Sequence, residues 1–185
     1  MEKLGRYGLI FFAFSIHSGF SQSTNSGGSI DKLKVIIFMA IDCPITQKYI
    51  PTMNGIVGQF SRQNIEFIAY FPSGITATER RRFRKEYNIS KRIKLISDGD
   101  HIWTNFYNAL VTPECFLVAH GKVVYRGAID NWFFDLGRYR TEVTDHFLIN
   151  AIEVSLTDRV SGVKQTKAFG CFIQRFEDHL ENQHH

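Results

Sequence analysis

The chain has 185 residues, of which 44% are hydrophobic and 14% are aromatic, and its net charge at neutral pH is +4. This length supports one domain with a substantial core and leaves too little chain for two domains of ordinary size. The charge is too small to indicate a nucleic-acid-binding protein on its own.

The first 21 residues have the pattern of a secretory signal peptide. Lys3 and Arg6 precede an apolar run, Leu9–Ile16, which is too short to span a bilayer as a helix. The small residue Ser21 favours cleavage directly after it. The alternative is a buried N-terminal helix, but the polar Ser/Thr/Gly stretch that follows favours a signal peptide.

These patterns divide the chain into four parts. They are a signal peptide over 1–21, a flexible leader over 22–31, a domain over 32–160 and a C-terminal tail over 161–185. We therefore predict export to the periplasm or the extracellular space, with no stable membrane span. Disulfides persist in that oxidising setting.

The first half of the domain alternates strands and helices, judged by apolar periodicity and capping signals. The predicted elements are a buried strand over 32–40, a helix from Cys43 to about Ser61 kinked by Pro51, a strand over 65–70, and a helix from near Ala77 capped by Thr76 and Glu79. Such βαβ order implies right-handed crossovers and a partly parallel sheet.

The second half closes the sheet with antiparallel strands. The predicted elements are a strand over 94–97, a short helix capped by Asp98 or Asp100, a strand opened by Pro113, a hairpin turn at His120-Gly121, a return strand over 122–126, an aromatic loop over 132–134, and a helix over about 141–156. The predicted fold class is α/β, with a mixed central sheet between helices.

The stretch Asp42-Cys43-Pro44 lies where the first strand gives way to the first helix. Pro44 fits the first helical position, so free N–H groups and the positive end of the helix dipole face the Cys43 sulfur. That setting favours the thiolate, the reactive form. Thr46 could donate a hydrogen bond to the sulfur, and Asp42 is predicted to cap the helix.

Three cysteines allow at most one intramolecular disulfide. Cys43 could be a redox nucleophile with Cys171 as its resolving thiol, half of a permanent Cys43–Cys171 disulfide, or an inert core residue. Cys115 lies in an apolar strand, which favours a buried thiol. Arg126 could hold an oxidised sulfur, although pairing with a carboxylate is the commoner role.

Four short motifs, in order, resemble those of redoxin-like proteins in the alkyl hydroperoxide reductase/thiol-specific antioxidant and thioredoxin superfamily. They are Cys43-Pro44, Thr112-Pro113-Glu114, Tyr125-Arg126-Gly127-Ala128-Ile129-Asp130, and Thr166-Lys167-Ala168-Phe169-Gly170-Cys171-Phe172-Ile173. The resemblance covers roughly 32–173. It implies a thioredoxin-like, three-layer α/β/α fold, with Thr112-Pro113 as the cis-proline segment that packs beside the active sulfur.

The sequence also departs from these families. Thr46 stands where thioredoxins have their second cysteine, and Ile36 and Ala40 stand where peroxiredoxins have their activating proline and hydroxyl. The resemblance implies a thiol oxidoreductase acting on protein disulfides or small hydroperoxides, with an external thiol reductant. The alternative is a non-catalytic binding module in which the cysteines are structural.

The sequence gives little support for metal, cofactor or nucleic-acid binding. The histidines and cysteines lack zinc-site spacing, and Gln47 stands where copper-delivering relatives of the fold have a second cysteine. We predict no metal and no cofactor. The basic run over 79–85 is predicted to be a solvated helix face, with anion or nucleic-acid binding as the weaker interpretation.

Overall fold

A computed structural model of the protein describes residues 33–157, 162 and 164–175. The predicted signal peptide and leader lie outside these residues. The strands are β1 (Leu33–Phe38), β2 (Ile65–Phe71), β3 (Ile93–Ser97), β4 (Val111–Thr112), β5 (Glu114–Ala119), β6 (Lys122–Gly127), β7 (Phe133–Asp135), β8 (Arg138–Tyr139), β9 (Lys164–Gln165) and β10 (Cys171–Phe172). The helices are α1 (Pro44–Gln59), α2 (Ala77–Glu86), α3 (Ile102–Tyr107) and α4 (Phe147–Leu156).

The central sheet has six strands in the order β3-β2-β1-β5-β6-β9. Strand β1 lies in its middle, parallel to β2 and antiparallel to β5. A strand with neighbours on both edges and helices on both faces is apolar where both faces are covered, which explains the run Val35–Phe38. The predicted mixed α/β sheet is confirmed.

Alternate residues of β1 face two separate hydrophobic clusters. Val35 and Ile37 pack in the larger one, to which α1, α2 and α4 contribute, while Ile36 and Phe38 pack in the smaller one with Tyr107 of α3. This alternation is what a strand's period of two requires. The helices thus lie on both faces, and the amino end of α1 meets the carboxyl end of β1.

The capping box predicted for α2 is confirmed, whereas the N-cap residue of α3 is His101 and neither Asp98 nor Asp100. Thr76 and Glu79 form the capping box of α2. The Asp98 carboxylate accepts hydrogen bonds from the backbone N–H groups of Trp103 and Thr104, at 3.0 and 2.8 Å, in the first turn of α3. These contacts satisfy N–H groups that have no partner within a helix.

The prediction for the last helix is wrong at its start. Helix α4 begins at Phe147, because Asn131 holds the preceding residues in a loop: its Oδ1 accepts from the backbone N–H groups of Thr144 and Asp145, at 3.0 and 3.2 Å. The predicted aromatic loop instead forms the β7–β8 hairpin, in which Phe133 is buried.

The C-terminal strap, residues 164–173, crosses the sheet edge beside Cys43. It pairs with β6 through β9 and with β4 through β10. Between these pairings, the Thr166 hydroxyl accepts from the Ala128 N–H at 3.0 Å and shares a 2.6 Å hydrogen bond with the Tyr125 hydroxyl. The strap is therefore docked at both ends and in its middle. In the described part of the chain, no helix has the length and apolar character to cross a membrane.

Candidate active site at Cys43 and Cys171

Cys43 is itself the N-cap residue of α1. Its backbone is extended (φ −82°, ψ 112°), Pro44 follows as the first helical residue, and the Thr46 N–H points at the Cys43 Sγ at 3.5 Å. The prediction that Asp42 caps the helix is wrong, because the helix begins one residue too late for it. Asp42 is exposed. The thiol sulfur therefore takes the place that a capping oxygen usually fills.

The Thr112–Pro113 peptide bond is cis, as the resemblance implied, and the segment lies against Cys43. The Cys43 thiol donates to the Thr112 carbonyl oxygen at 3.0 Å, a contact that favours the protonated sulfur. Glu114 fixes this segment, because one carboxylate oxygen accepts from the Leu110 N–H at 2.8 Å and the other from Arg126 at 2.7 Å.

The strap brings Cys171 to the same place from 128 residues away in sequence. Residue 171 pairs with Thr112 in the β10–β4 ladder, and the Cys171 thiol donates to the Cys43 Sγ with the sulfurs 2.8 Å apart. Both cysteines are free thiols. Since a disulfide is about 2.05 Å long, less than 1 Å of movement would join them.

Two glycines, Gly127 and Gly170, allow close backbone contacts where the strap docks. A Cβ on Gly170 would lie 2.1 Å from the Thr112 carbonyl oxygen, and a Cβ on Gly127 would lie 2.1 Å from the carbonyl oxygen of Thr166. Gly127 also has a φ of +132°, which side chains rarely adopt. The glycines of two motifs in the resemblance therefore serve one purpose, which is the docking of the strap.

The two thiols have opposite pKa shifts. Burial is the largest influence on Cys43 and opposes ionisation, but hydrogen bonds from Cys171 and Thr46 outweigh it and lower the pKa of Cys43 below the ordinary 9.0. Burial, the hydrogen bond to Cys43 and the charges of Cys43 and Asp42 raise the pKa of Cys171 to about 12. The first negative charge of the pair therefore forms on Cys43.

Burial of Cys43 bears on whether it is an inert core residue. Its side chain is 1% exposed, and it packs in the larger hydrophobic cluster. Its sulfur nevertheless has polar neighbours on three sides, from Thr46, Thr112 and Cys171. Cys115 shows the contrast: it is fully buried, and desolvation raises its pKa well above the ordinary value. The prediction of a buried Cys115 is confirmed.

A cavity of about 380 Å³ is lined by both cysteines. Besides Cys43 and Cys171 it is lined by polar groups that include Asp42, His101 and Arg175. His101 is buried in a left-handed conformation, with φ at 56°. No sequence signal links it to Cys43, because only the fold brings residue 101 to the cavity that Cys43 lines.

Arg126 lies apart from the sulfurs. Its guanidinium bonds to Glu114 and to the Asn108 carbonyl oxygen, and it lines a separate cavity of about 550 Å³ beneath the strap. The structure therefore places Arg126 in the support of the cis-proline segment. Among the residues described, no group of three or more His, Cys, Asp or Glu side chains could hold a metal ion.

We expect the rate of Cys43 alkylation by iodoacetamide to rise with pH through a midpoint below 9.0 and then level off, since the thiolate is the reacting form. Cys171→Ala removes the S–H donor and should move this midpoint upward, whereas Cys171→Ser keeps a hydroxyl donor and should move it less. Peptide mass spectrometry across a pH series measures both effects. A midpoint above 9.0 in the unaltered protein would contradict the assignment of the thiolate.

Comparison with solved structures supports the fold. A hypothetical protein from Sinorhizobium meliloti superposes with a TM-score of 0.64 at 21% identity, covering 78% of this chain and 80% of that one. An uncharacterized conserved protein from Geobacillus kaustophilus gives 0.60 at 20% identity, covering 78% of each chain. StoA from Bacillus subtilis gives 0.46 at 14% identity, covering 54% of this chain and 75% of that one. No family model and no curated protein matches the sequence.

The fold is thioredoxin-like. A mixed central sheet lies between helices, and a cis-proline lies beside the amino end of α1. Two solved structures superpose on this chain with TM-scores above 0.5, and the predicted fold class is confirmed. At identities near 20%, this likeness concerns the fold alone.

Proposed function

We propose that the protein is a thiol-based oxidoreductase in which Cys43 and Cys171 form a reversible redox pair. The observation that supports this most directly is the 2.8 Å approach of two free sulfurs whose pKa values are shifted in opposite directions. One sulfur is thus prepared to attack, and the other lies ready to resolve the product.

On a disulfide substrate, the Cys43 thiolate attacks one sulfur and expels the other as a thiolate, forming a mixed disulfide. Cys171 then loses its proton and attacks the Cys43 sulfur, which releases the reduced substrate and leaves a Cys43–Cys171 disulfide. On a hydroperoxide, Cys43 becomes a sulfenic acid and the peroxide leaves as an alcohol. Cys171 then condenses with the sulfenic acid and water is released. An external thiol restores both thiols in either case.

One observation favours a second candidate, a structural disulfide. The strap is docked by two strand pairings and by Thr166, so a Cys43–Cys171 bond would fasten an element that is already in place. The two candidates differ in reduction potential, because structural disulfides in secreted proteins typically lie below about −300 mV.

The activity test uses reduced, full-length protein with dithiothreitol as donor. Insulin, a small aromatic disulfide and an organic hydroperoxide are offered in turn, and donor consumption is measured together with thiol count. The proposed function predicts turnover of at least one substrate and the appearance of a Cys43–Cys171 peptide when donor is withheld. Absence of turnover on all three, with a bond that resists dithiothreitol, would support the structural disulfide.

Export is a separate part of the proposal. It rests on Lys3, Arg6 and the apolar run Leu9–Ile16, whose residues lie outside those the structure describes. N-terminal sequencing of the protein recovered from a bacterial periplasm should begin at Gln22. An intact Met1 in the cytoplasmic fraction would contradict it.

A further inference from the structure

We propose that a basic cavity beside α2 binds a soluble anion that carries two or more phosphate groups. The cavity measures about 770 Å³, which lies within the range of roughly 300–1,000 Å³ that small-molecule sites occupy. The basic side chains that line it are Arg80, Arg81, Arg84, Lys85 and Lys91. It shares no lining residue with the cavity that Cys43 lines, so binding there does not depend on the proposed redox function.

The positive charge of the chain is concentrated in this region. Residues 79–94 include eight of the 22 lysines and arginines but only two of the 18 acidic residues, which gives the segment a net charge of +6. The rest of the chain has 14 basic and 16 acidic side chains, a net charge of −2. The small net charge of the whole protein therefore conceals one strongly basic surface, which attracts anions.

Helix α2 separates these cations from its acidic residues. At 100° per residue, the four basic residues that α2 contributes to the cavity fall within an arc of about 140°, whereas Glu79 and Glu86 lie on the opposite side of the helix. In the part of the chain that the structure describes, none of the five basic side chains of the cavity forms a salt bridge with a carboxylate. The protein itself therefore leaves this cluster of charges without a counter-ion.

Two of the arginines are held in place by the cavity wall. The Arg84 guanidinium donates to the carbonyl oxygens of Ser90 and Ile93, at 2.5 and 2.7 Å, and Arg80 donates to the Leu95 carbonyl oxygen at 3.0 Å. Burial and the charge of Arg80 lower the pKa of Arg84. Like charges four residues apart on a helix repel each other, and an anion bound beside them would relieve that repulsion.

The side chain of Asn54, in α1, fixes the opposite wall. Its amide donates to the Asn88 carbonyl oxygen at 3.0 Å and its oxygen accepts from the Ser90 N–H at 2.9 Å. These two contacts hold the loop after α2 against α1 and so place Lys91 at the cavity. The site is therefore formed by tertiary contacts before a ligand binds, which lowers the cost of ordering it.

The lining residues identify the class of ligand. A guanidinium presents paired N–H donors that match the oxygens of a phosphate group, and five cations without a counter-ion favour a ligand with several negative charges. None of the described residues that line the cavity is aromatic, so it lacks the stacking surface that single-stranded nucleic acids use. Its concave shape suits a small soluble anion better than the flat surface of a bilayer.

The test titrates reduced, full-length protein with sodium tripolyphosphate in a calorimeter, at about 0.15 M salt, where attraction between distant exposed charges is largely screened. We expect tripolyphosphate to bind about tenfold or more tightly than inorganic phosphate, since several groups are held at once. The double variant Arg81→Gln/Lys85→Gln should weaken tripolyphosphate binding by about tenfold or more. Both side chains are exposed, so the fold should persist, and circular dichroism verifies it.

The matched control is the double variant Arg82→Gln/Arg92→Gln. It removes the same charge from the same segment, and both side chains are exposed, but neither lines the cavity. Tripolyphosphate binding should weaken by less than about threefold in this variant, because exposed charges outside the site are screened. An equal loss in the two double variants would show a general attraction by the basic surface and would overturn the site.

Two further results would overturn the inference. One is the absence of tripolyphosphate binding at about 1 mM, which is the weak end of specific affinities. The other is binding to vesicles that contain phosphatidylglycerol by a protein that ignores tripolyphosphate, which would make this face a membrane-binding surface. Neither result bears on the redox pair, whose activity test uses other residues and other substrates.

Discussion

The Cys43→Ser variant is expected to lose all turnover of disulfides or hydroperoxides, down to the uncatalysed rate. A serine hydroxyl can cap α1 as well as the sulfur does, so the fold should persist, but it cannot form a disulfide or a sulfenic acid. Donor consumption under the conditions of the activity test measures the loss. Circular dichroism and thermal unfolding establish that the variant is folded.

The matched control is Cys115→Ala. Cys115 is fully buried, its thiol donates to the Gly127 carbonyl oxygen at 3.2 Å, and its pKa is raised. Its removal should lower the free energy of unfolding by about 1–2 kcal/mol through lost packing and one hydrogen bond, and should leave turnover unchanged. Residual activity in Cys43→Ser, or loss of activity in a folded Cys115→Ala, would mean that the nucleophile has been misassigned.

The second large effect is expected from Gly170→Ala. The added methyl group would lie 2.1 Å from the Thr112 carbonyl oxygen and 3.2 Å from the Pro113 nitrogen, both backbone atoms of the cis-proline segment. The strap must therefore withdraw from β4 and carry Cys171 away from Cys43. Displacing a reacting group by about 1 Å typically costs about a hundredfold in rate, and we expect a loss of this order in Cys43–Cys171 closure. The rate of closure is measured by stopping oxidation at successive times and alkylating the thiols that remain.

Gly58→Ala is the control for a glycine replacement of the same kind. Gly58 lies in α1, where a Cβ would meet nothing within 4 Å, so alanine should stabilise the helix by about 0.5–1 kcal/mol and leave closure unchanged. If Gly170→Ala closes the disulfide as fast as the unaltered protein, the strap does not depend on its contact with Thr112, and the account of its docking is wrong.

The sequence was sufficient for the elements that depend on local signals. The apolar run of β1, Pro44 at the first position of α1, and the Thr76–Glu79 capping box each identify their element without knowledge of the rest of the chain. The same holds for the Thr112-Pro113 motif, whose cis bond was implied by the resemblance. Local signals of this kind survive in the fold because no tertiary contact competes with them.

Features set by contacts between distant residues could not be predicted. The side chain of Asn131 holds residues 144 and 145 in a loop and so delays the start of α4, and no local pattern reveals that contact. The pairing of Cys171 with Thr112 likewise depends on glycines that make room for backbone rather than on any periodicity. Residues in such positions are recognised only once the strands are assembled.

The burial of Cys43 also depends on a contact between distant residues. A helix amino terminus indicates a thiolate, but the strap that covers the sulfur reaches it from the far end of the chain. Lowered pKa and restricted access therefore occur together at one residue.

A redox titration of the full-length protein shows whether Cys43 and Cys171 form a reversible pair. The fraction of the Cys43–Cys171 peptide is measured by alkylation and mass spectrometry in buffers of graded dithiothreitol ratio. A reversible Cys43–Cys171 pair predicts one two-electron transition above about −300 mV, with Cys115 a thiol throughout. Absence of any such bond, or a bond that persists below that potential, would contradict it.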